Sequence, residues 1–530
     1  MKKLFTCLLA MCILLSLVAC SNNEQAPSSN GNGQDEASTS PDGQGNDQSE
    51  PMEITIAIPA EPSWLDAAKN IGEAGGYISR SITEYLVTIG NSGTEYMPML
   101  AERWEQVDDG WVVYLRQGVK FHNGENLTAE DVIASYERIQ LQAEPNLVSE
   151  NVDSITSMEA IDDYTVKFTT NDAAFMSVLC AVGINPKDTL DEMGADEFSY
   201  SPIGTGPYKF VEWIPGERIT LEAYEGYWGE KADIETVNFR FIPEASTRVA
   251  ELVSGGIDVA TNLNPEHVTT IESSGNAYVA SKPSSRVVYY LFNRLDWGPE
   301  ELKDPLVCQA LNYAVNKQEI IDNILNGQGI VVANHWREDM EGYNPDVEPF
   351  PYDPEKAKEL LAEAGYPDGF TITMQTSTGA FTQAVEVGQA IASYLADVGV
   401  TVEIETLDYS TLRSYLISGQ DLQKAAGLCA TNYGGSAMDC TSLIGSIFRA
   451  DGVKTWYQSK RYQELVEGAL ASEDSEERVE LLQEFQAHLM EDPDGIYLYQ
   501  QMDIYGVSNE IDYEPEFGVT IAPYLLHPKG

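Results

Sequence analysis

Basic residues are scarce in this chain: 31 Lys and Arg stand against 84 Asp and Glu in 530 residues, a formal net charge of −53. So acidic a body repels nucleic acid and anionic lipid headgroups, and neither is expected as its partner. The seven cysteines include no C-x-x-C pair, which sets aside zinc-ribbon and thioredoxin-type sites. The five histidines, His122, His267, His335, His488 and His527, are scattered without ligand spacing, so no metal site and no cofactor is expected. G-x-S-x-G, a phosphate-binding loop and H-E-x-x-H are all missing. Paired carboxylates carry no signal in a chain this acidic. An enzyme is therefore not expected, with an extracellular hydrolase as the competing class. No apolar run after residue 20 reaches the about 20 residues that a membrane span needs.

What is present begins at the N-terminus. Lys2 and Lys3 precede a mostly apolar stretch, Leu4 to Leu17, of secretory-signal length. It ends in Leu17-Val18-Ala19-Cys20, and the chain then turns polar at once. This arrangement resembles the lipobox of bacterial lipoproteins. The resemblance implies a signal peptide over residues 1–19, cut just before a lipidated Cys20. Two acyl chains give stable anchoring where one is marginal. Residues 21–50 contain no large apolar side chain and cannot offset the entropy of ordering. Cys20 and this stretch form the expected tether, 20–50, a coil reaching roughly 30 Å. The expected location is the extracytoplasmic face of the cell membrane, held by lipid alone.

The body, Pro51 to Gly530, is long enough for two or three lobes. ITIAI (54–58), WVVYLR (111–116) and TVKFTT (165–170) read as strands. Residues 208–224 read as a hairpin around Pro215-Gly216, followed by VNFRFI, a helical stretch and IDVA. Leu127 to Gln140 reads as a helix, with Thr128 and Asp131 as a capping pair. Asp353-Pro354 opens another helix that Gly365 ends. FTITMQT and VTVEIETL bracket a helix over about 381–398, giving a strand-helix-strand unit. Strands and helices are mixed throughout, so the fold class is α/β.

Four segments then carry a resemblance. They are residues 112–139, Ile203 to Gly229, Val288 to Asn293 with the run from Asp304, and Tyr352 to Phe370. In this order they resemble the extracellular solute-binding proteins of peptide ABC transporters (family 5), here in a lipoprotein form. The resemblance implies a type II periplasmic-binding-protein fold of two lobes, an inserted subdomain and a strand hinge. Lobe I takes 51–90, 200–285 and 503–530, the inserted subdomain 91–199 and lobe II 286–502, with the hinge near 286–293 and 497–506. It also implies a monomeric receptor that captures a peptide or other small solute between its lobes. Its partners would be an ABC permease and the permease's ATPase. An oligosaccharide or a metal chelate is the alternative ligand, and signalling the alternative to import.

The ligand-binding residues implied are Trp64, Asn262, Asn264, Trp336, Asn432, Tyr433 and Asp439. Asn432 falls where peptide-binding relatives place an Asp for the ligand's amino group, with Asp439 as a substitute nearby. The loop after FTITMQT, STGAFTQ, lacks the Arg that clamps the carboxylate in dipeptide binders. Free dipeptide is thereby disfavoured. Trp64, Trp336, Asn262 and Asn264 also have structural readings, as packing and turn residues. Cys429 and Cys440, eleven apart around Gly434-Gly435, are the candidate disulfide, against two buried free thiols.

Overall fold

The computed structural model describes residues 52–69, 72–90, 95–141, 152–170, 175–416, 421–434, 444, 448, 456, 459–472, 475–516 and 521–529. The elements that matter below run in chain order. First come β1 (Glu53–Ile58), α1 (Gly72–Ile82), β2 (Ala101–Val107), β3 (Gly110–Leu115), α2 (Ala129–Gln140), β4 (Ile155–Asp162) and β5 (Thr165–Thr170). Next are β6 (Tyr208–Ile214), β7 (Arg218–Ala223), β8 (Thr236–Phe241), α3 (Ala245–Ser254), β9 (Val259–Ala260) and the long β10 (Ala277–Phe292). Then follow α4 (Pro305–Ala314), β11 (Gly329–Val331), α5 (Pro354–Glu363), β12 (Phe370–Thr376), α6 (Ala384–Asp397), β13 (Val400–Thr406) and β14 (Leu428–Gly434). The last are α7 (Lys460–Ala471), α8 (Ser475–Glu491) and the long β15 (Gly495–Ser508).

An eleven-stranded mixed sheet runs in the order β13-β12-β14-β10-β15-β9-β1-β8-β7-β6, with β11 also on β15. β1 lies parallel to β8 and β9, and β12 parallel to β13 and β14. Between these two parallel groups stand β10 and β15, antiparallel to each other and long enough to serve both. The first group carries the Ile54–Ile56–Ile58 core on one face and the α3 core, with Val249 and Leu252, on the other. The second group is wrapped by α4 to α8 around Tyr289, Tyr290, Phe292, Tyr497 and Tyr499. A separate four-stranded antiparallel sheet, β2-β3-β5-β4, packs with α2 around Tyr136, Phe168 and Phe175.

The local signals explain the elements. Asp131 accepts from the Thr128 amide at 2.9 Å and its hydroxyl at 2.8 Å, opening α2. Asp353 accepts from the Lys356 amide at 2.9 Å with Pro354 in the first turn of α5, and Gly365 turns the chain at φ 95°. The hairpin β6–β7 closes around Gly216 at φ 73°. Gly204 and Gly206 admit the end of α1: a Cβ on Gly204 would meet the Ile82 carbonyl oxygen at 2.0 Å.

The small sheet is tied to the main sheet through Glu84. This buried carboxylate accepts from Tyr227 Oη at 2.9 Å and Trp228 Nε1 at 2.8 Å. Burial pushes its pKa up to about 7, against the lowering by Trp228, Tyr227 and nearby Arg116. His122 is the converse: burial lowers its pKa to about 4, and its Nε2 lies 2.9 Å from the Gly206 carbonyl oxygen.

Candidate functional site

Ligands in open α/β sheets sit outside the carboxyl ends of the strands. Here the turn after β9, the loop after β12 and the end of β14 converge on two adjoining chambers. The smaller, about 120 Å³, is lined by Tyr77, Asn262, Asn264, Arg286, Asp503 and Tyr505, among others. The larger, about 480 Å³, takes in the 378–383 loop with Asn264, Arg286, Tyr409, Asn432 and Gln501. Asn264, Arg286, Thr382 and Gln501 border both, so the two are parts of one cleft. One wall comes from the β1 group, the other from the β12 group, and Arg286 and Gln501 come from the crossover strands.

Three predicted residues therefore meet here: Asn262, Asn264 and Asn432. Asn262 stands at φ 50°, its side-chain oxygen accepting from Tyr77 Oη and its carbonyl from Arg248 Nη2 at 2.9 Å. Asn264 is exposed at the rim. Asn432 donates its Nδ2 to the Ala380 carbonyl, so part of its side chain is spent bracing the 378–383 loop.

The other predicted residues lie elsewhere. Tyr433 follows Asn432 on a strand, so it points to the opposite face and packs against the main core. Trp336 is buried, stacked on Phe448 at 5.7 Å, and donates Nε1 to the Glu341 carbonyl at 3.1 Å. It borders a separate cavity of about 670 Å³ lined by Lys282, residues 330–334 and Arg337, which shares no lining residue with the cleft chambers. Trp64 carries the Lys69 ammonium 5.1 Å from its ring and lines none of these three spaces.

The expected disulfide is corrected on one side. Cys429 is a free, fully buried thiol, its Sγ 3.5 Å from Gln375 Oε1 and 3.7 Å from the Ala426 carbonyl. Burial raises its pKa well above the ordinary thiol value. Cys440, Asp439 and Cys20 lie outside the described residues.

Sequence reasoning missed Arg286 and Gln383. Arg286 sits at a break in the β10–β15 ladder, where pairing jumps from Pro283–Met502 to Val287–Gln500. The carbonyls of that bulge left out of the β10–β15 ladder are taken by side chains: Gln500 Nε2 donates to Ser284 O at 2.7 Å and Arg337 Nη1 to Ser285 O at 2.9 Å. Opposite, Gly434 leaves room, since a Cβ there would meet Arg286 Cγ at 2.9 Å. Gln383 holds a left-handed φ of 56° just before α6, and its Oε1 is buried without a hydrogen-bond partner among the described residues. No local sequence pattern marks either; a lone cation just before the VVYYLF run was the available signal for Arg286. Among the described residues no group of three or more His, Cys, Asp or Glu could hold a metal ion.

Comparison with known proteins fits this geometry. Residues 95–452 match the family of bacterial extracellular solute-binding proteins, family 5 Middle. The chain belongs to this family. Among curated relatives of this family 5 protein, the dipeptide-binding protein of Escherichia coli (strain K12) is 29% identical over 492 residues, 86% of this chain and 88% of the relative. The heme-binding protein A of Haemophilus influenzae is 28% identical, covering 85% and 86%. In solved structures, HbpA2 from Haemophilus parasuis superposes with a TM-score of 0.76 at 26% identity, over 90% of this chain and 100% of that one. DppA from Helicobacter pylori in complex with the peptide STSA gives 0.68 at 26% identity, over 91% and 99%. These family 5 relatives are named as binding proteins rather than enzymes.

Proposed function

We propose that this chain captures a small peptide in the cleft and hands it to the permease of an ABC importer. The relatives' names differ in ligand at nearly equal identity, so identity alone does not choose one. The observation that carries the reading is the cleft itself: two joined chambers at the strand carboxyl ends, walled by both parallel groups and floored by the crossover strands. Their combined size suits a short peptide or a related solute of that bulk. Closure over the solute occurs by bending at β10 and β15, and the body is held on the extracytoplasmic face of the membrane through lipidated Cys20, as a monomer.

The test is native mass spectrometry of the protein as purified, followed by stripping and rebinding of di- and tripeptides under small-angle scattering. A bound small solute, a raised melting temperature and a smaller radius of gyration are expected. An empty cleft that no peptide stabilises or compacts overturns the reading. Separately, Cys20→Ala is expected to shift the protein from the membrane fraction to the soluble fraction or to block processing.

A further inference from the structure

The charge inside the cleft runs against the charge of the chain. Carboxylates outnumber cations 84 to 31 in the sequence. Yet among the described residues Arg286 is the one charged residue lining the larger chamber, beside polar walls such as Thr378, Gln383, Tyr409, Asn432 and Gln501. The adjoining small chamber adds Asp503, which stands opposite Lys282 in the ladder and supports that ammonium.

Most arginines elsewhere in the described fold are engaged. Eight of them, Arg294 and Arg337 included, hold a carboxylate within 4 Å. Arg248 instead donates to four backbone carbonyls. Arg286 has its backbone fixed by the bulge, its amide donating to Ser284 Oγ at 3.1 Å, and its guanidinium meets no carboxylate among the described residues. A rigidly mounted cation with a vacant fork is suited to a carboxylate, which it can bind through two parallel hydrogen bonds. Gln383, which also lines this chamber, has its Oε1 buried without a donor among the described residues. A polar group left this way costs free energy until something supplies the missing bond.

We propose that Arg286 is the anion anchor of the cleft, so that the solute carries a carboxylate. This rests on the reading of the cleft as the solute site. It moves the acid-binding cation from the 377–383 loop, where the sequence has none, to the crossover strand. A short peptide or an amino-acid conjugate with a free acid fits; a neutral sugar does not.

The experiment uses calorimetry and thermal shift with alanyl-alanine, trialanine and reduced glutathione, each beside its C-terminal amide, on wild type, Arg286→Gln and Arg286→Lys. At least one acid is expected to bind, with its amide at least tenfold weaker. Arg286→Gln should abolish that difference and Arg286→Lys keep part of it. Melting of the ligand-free proteins separates a folding defect from a binding one. Acids and amides that bind alike, or an Arg286→Gln protein that still prefers the acid, overturn the anchor while leaving solute capture standing. A panel in which no acid binds overturns the anchor too, and the co-purification assay above then reads solute capture independently.

Discussion

Two arginines eight residues apart on and just beyond β10 show opposite uses of charge. Arg294 is buried and engaged through both Nη atoms: it donates to Asp492 Oδ1 at 2.6 Å, to the Pro493 carbonyl at 3.1 Å and to the Lys303 carbonyl at 3.2 Å. Beside it, Asp494 takes His335 Nε2 and Tyr497 Oη, each at 2.8 Å. Burial works against that carboxylate, yet His335, Tyr497 and Arg294 hold it below its ordinary pKa. Arg286 is exposed and has no such partner among the described residues. The difference teaches where the molecule is finished and where it is not. The first network locks α4, α8 and the crossover strands together, and an intact protein can leave the second vacant because water, not core, surrounds it.

The largest expected effect breaks the finished side. Arg294→Ala strands Asp492 in the interior and should cost about 3–5 kcal/mol, read from the urea midpoint at unchanged slope. Next is Glu84, a buried acid served by neutral donors rather than a bound cation. Its raised pKa means the folded state holds the proton that the unfolded state releases. Its contribution is full below the ordinary Glu pKa and is lost as pH rises through about 7, up to about 3 kcal/mol in all. Denaturation curves from pH 4.5 to 8 should show this decline, and Glu84→Gln should flatten it. Asn432→Asp comes third: it removes the donor to Ala380 and sets a carboxylate against that carbonyl, costing about 1–3 kcal/mol by thermal melting. The smallest effect sharpens the comparison. Arg286→Gln should change ligand-free stability by no more than about 0.5 kcal/mol, in contrast to Arg294.

Much of the fold was legible because its signals are local. Alternation in ITIAI and TVKFTT, the Thr128–Asp131 pair and the Asp353-Pro354 opening each act within a few residues, and the structure carries all four. The cleft was legible at the strand ends, where Asn262, Asn264 and Asn432 converge. Aromatics were ambiguous, because an indole suits a core as well as a ligand: Trp336 stacks on Phe448 and also borders the cavity of about 670 Å³. Adjacent positions misled, since Asn432 and Tyr433 cannot face the same side of one strand. Arg286 was out of reach for a different reason. Its exposure depends on the bulge, and a bulge is a mismatch between β10 and a partner strand more than 200 residues away in sequence.

That mismatch also concentrates the compliance of the molecule. On one side of it, residues 277–283 are zipped to 502–508; on the other, 287–291 are zipped to 495–500. Between the two stretches Ser284 and Ser285 pair with neither neighbouring strand, and Arg286 already pairs with Gly434 of β14. The carbonyls of Ser284 and Ser285 are held by Gln500 and Arg337 side chains, contacts that can swing where a ladder bond cannot. Amide deuteration should accordingly be fast at 285 and slow at 280 and 290, a step in exchange rate within a single strand. The proposed anchor cation stands at the edge of that break, on the side already laddered to β14.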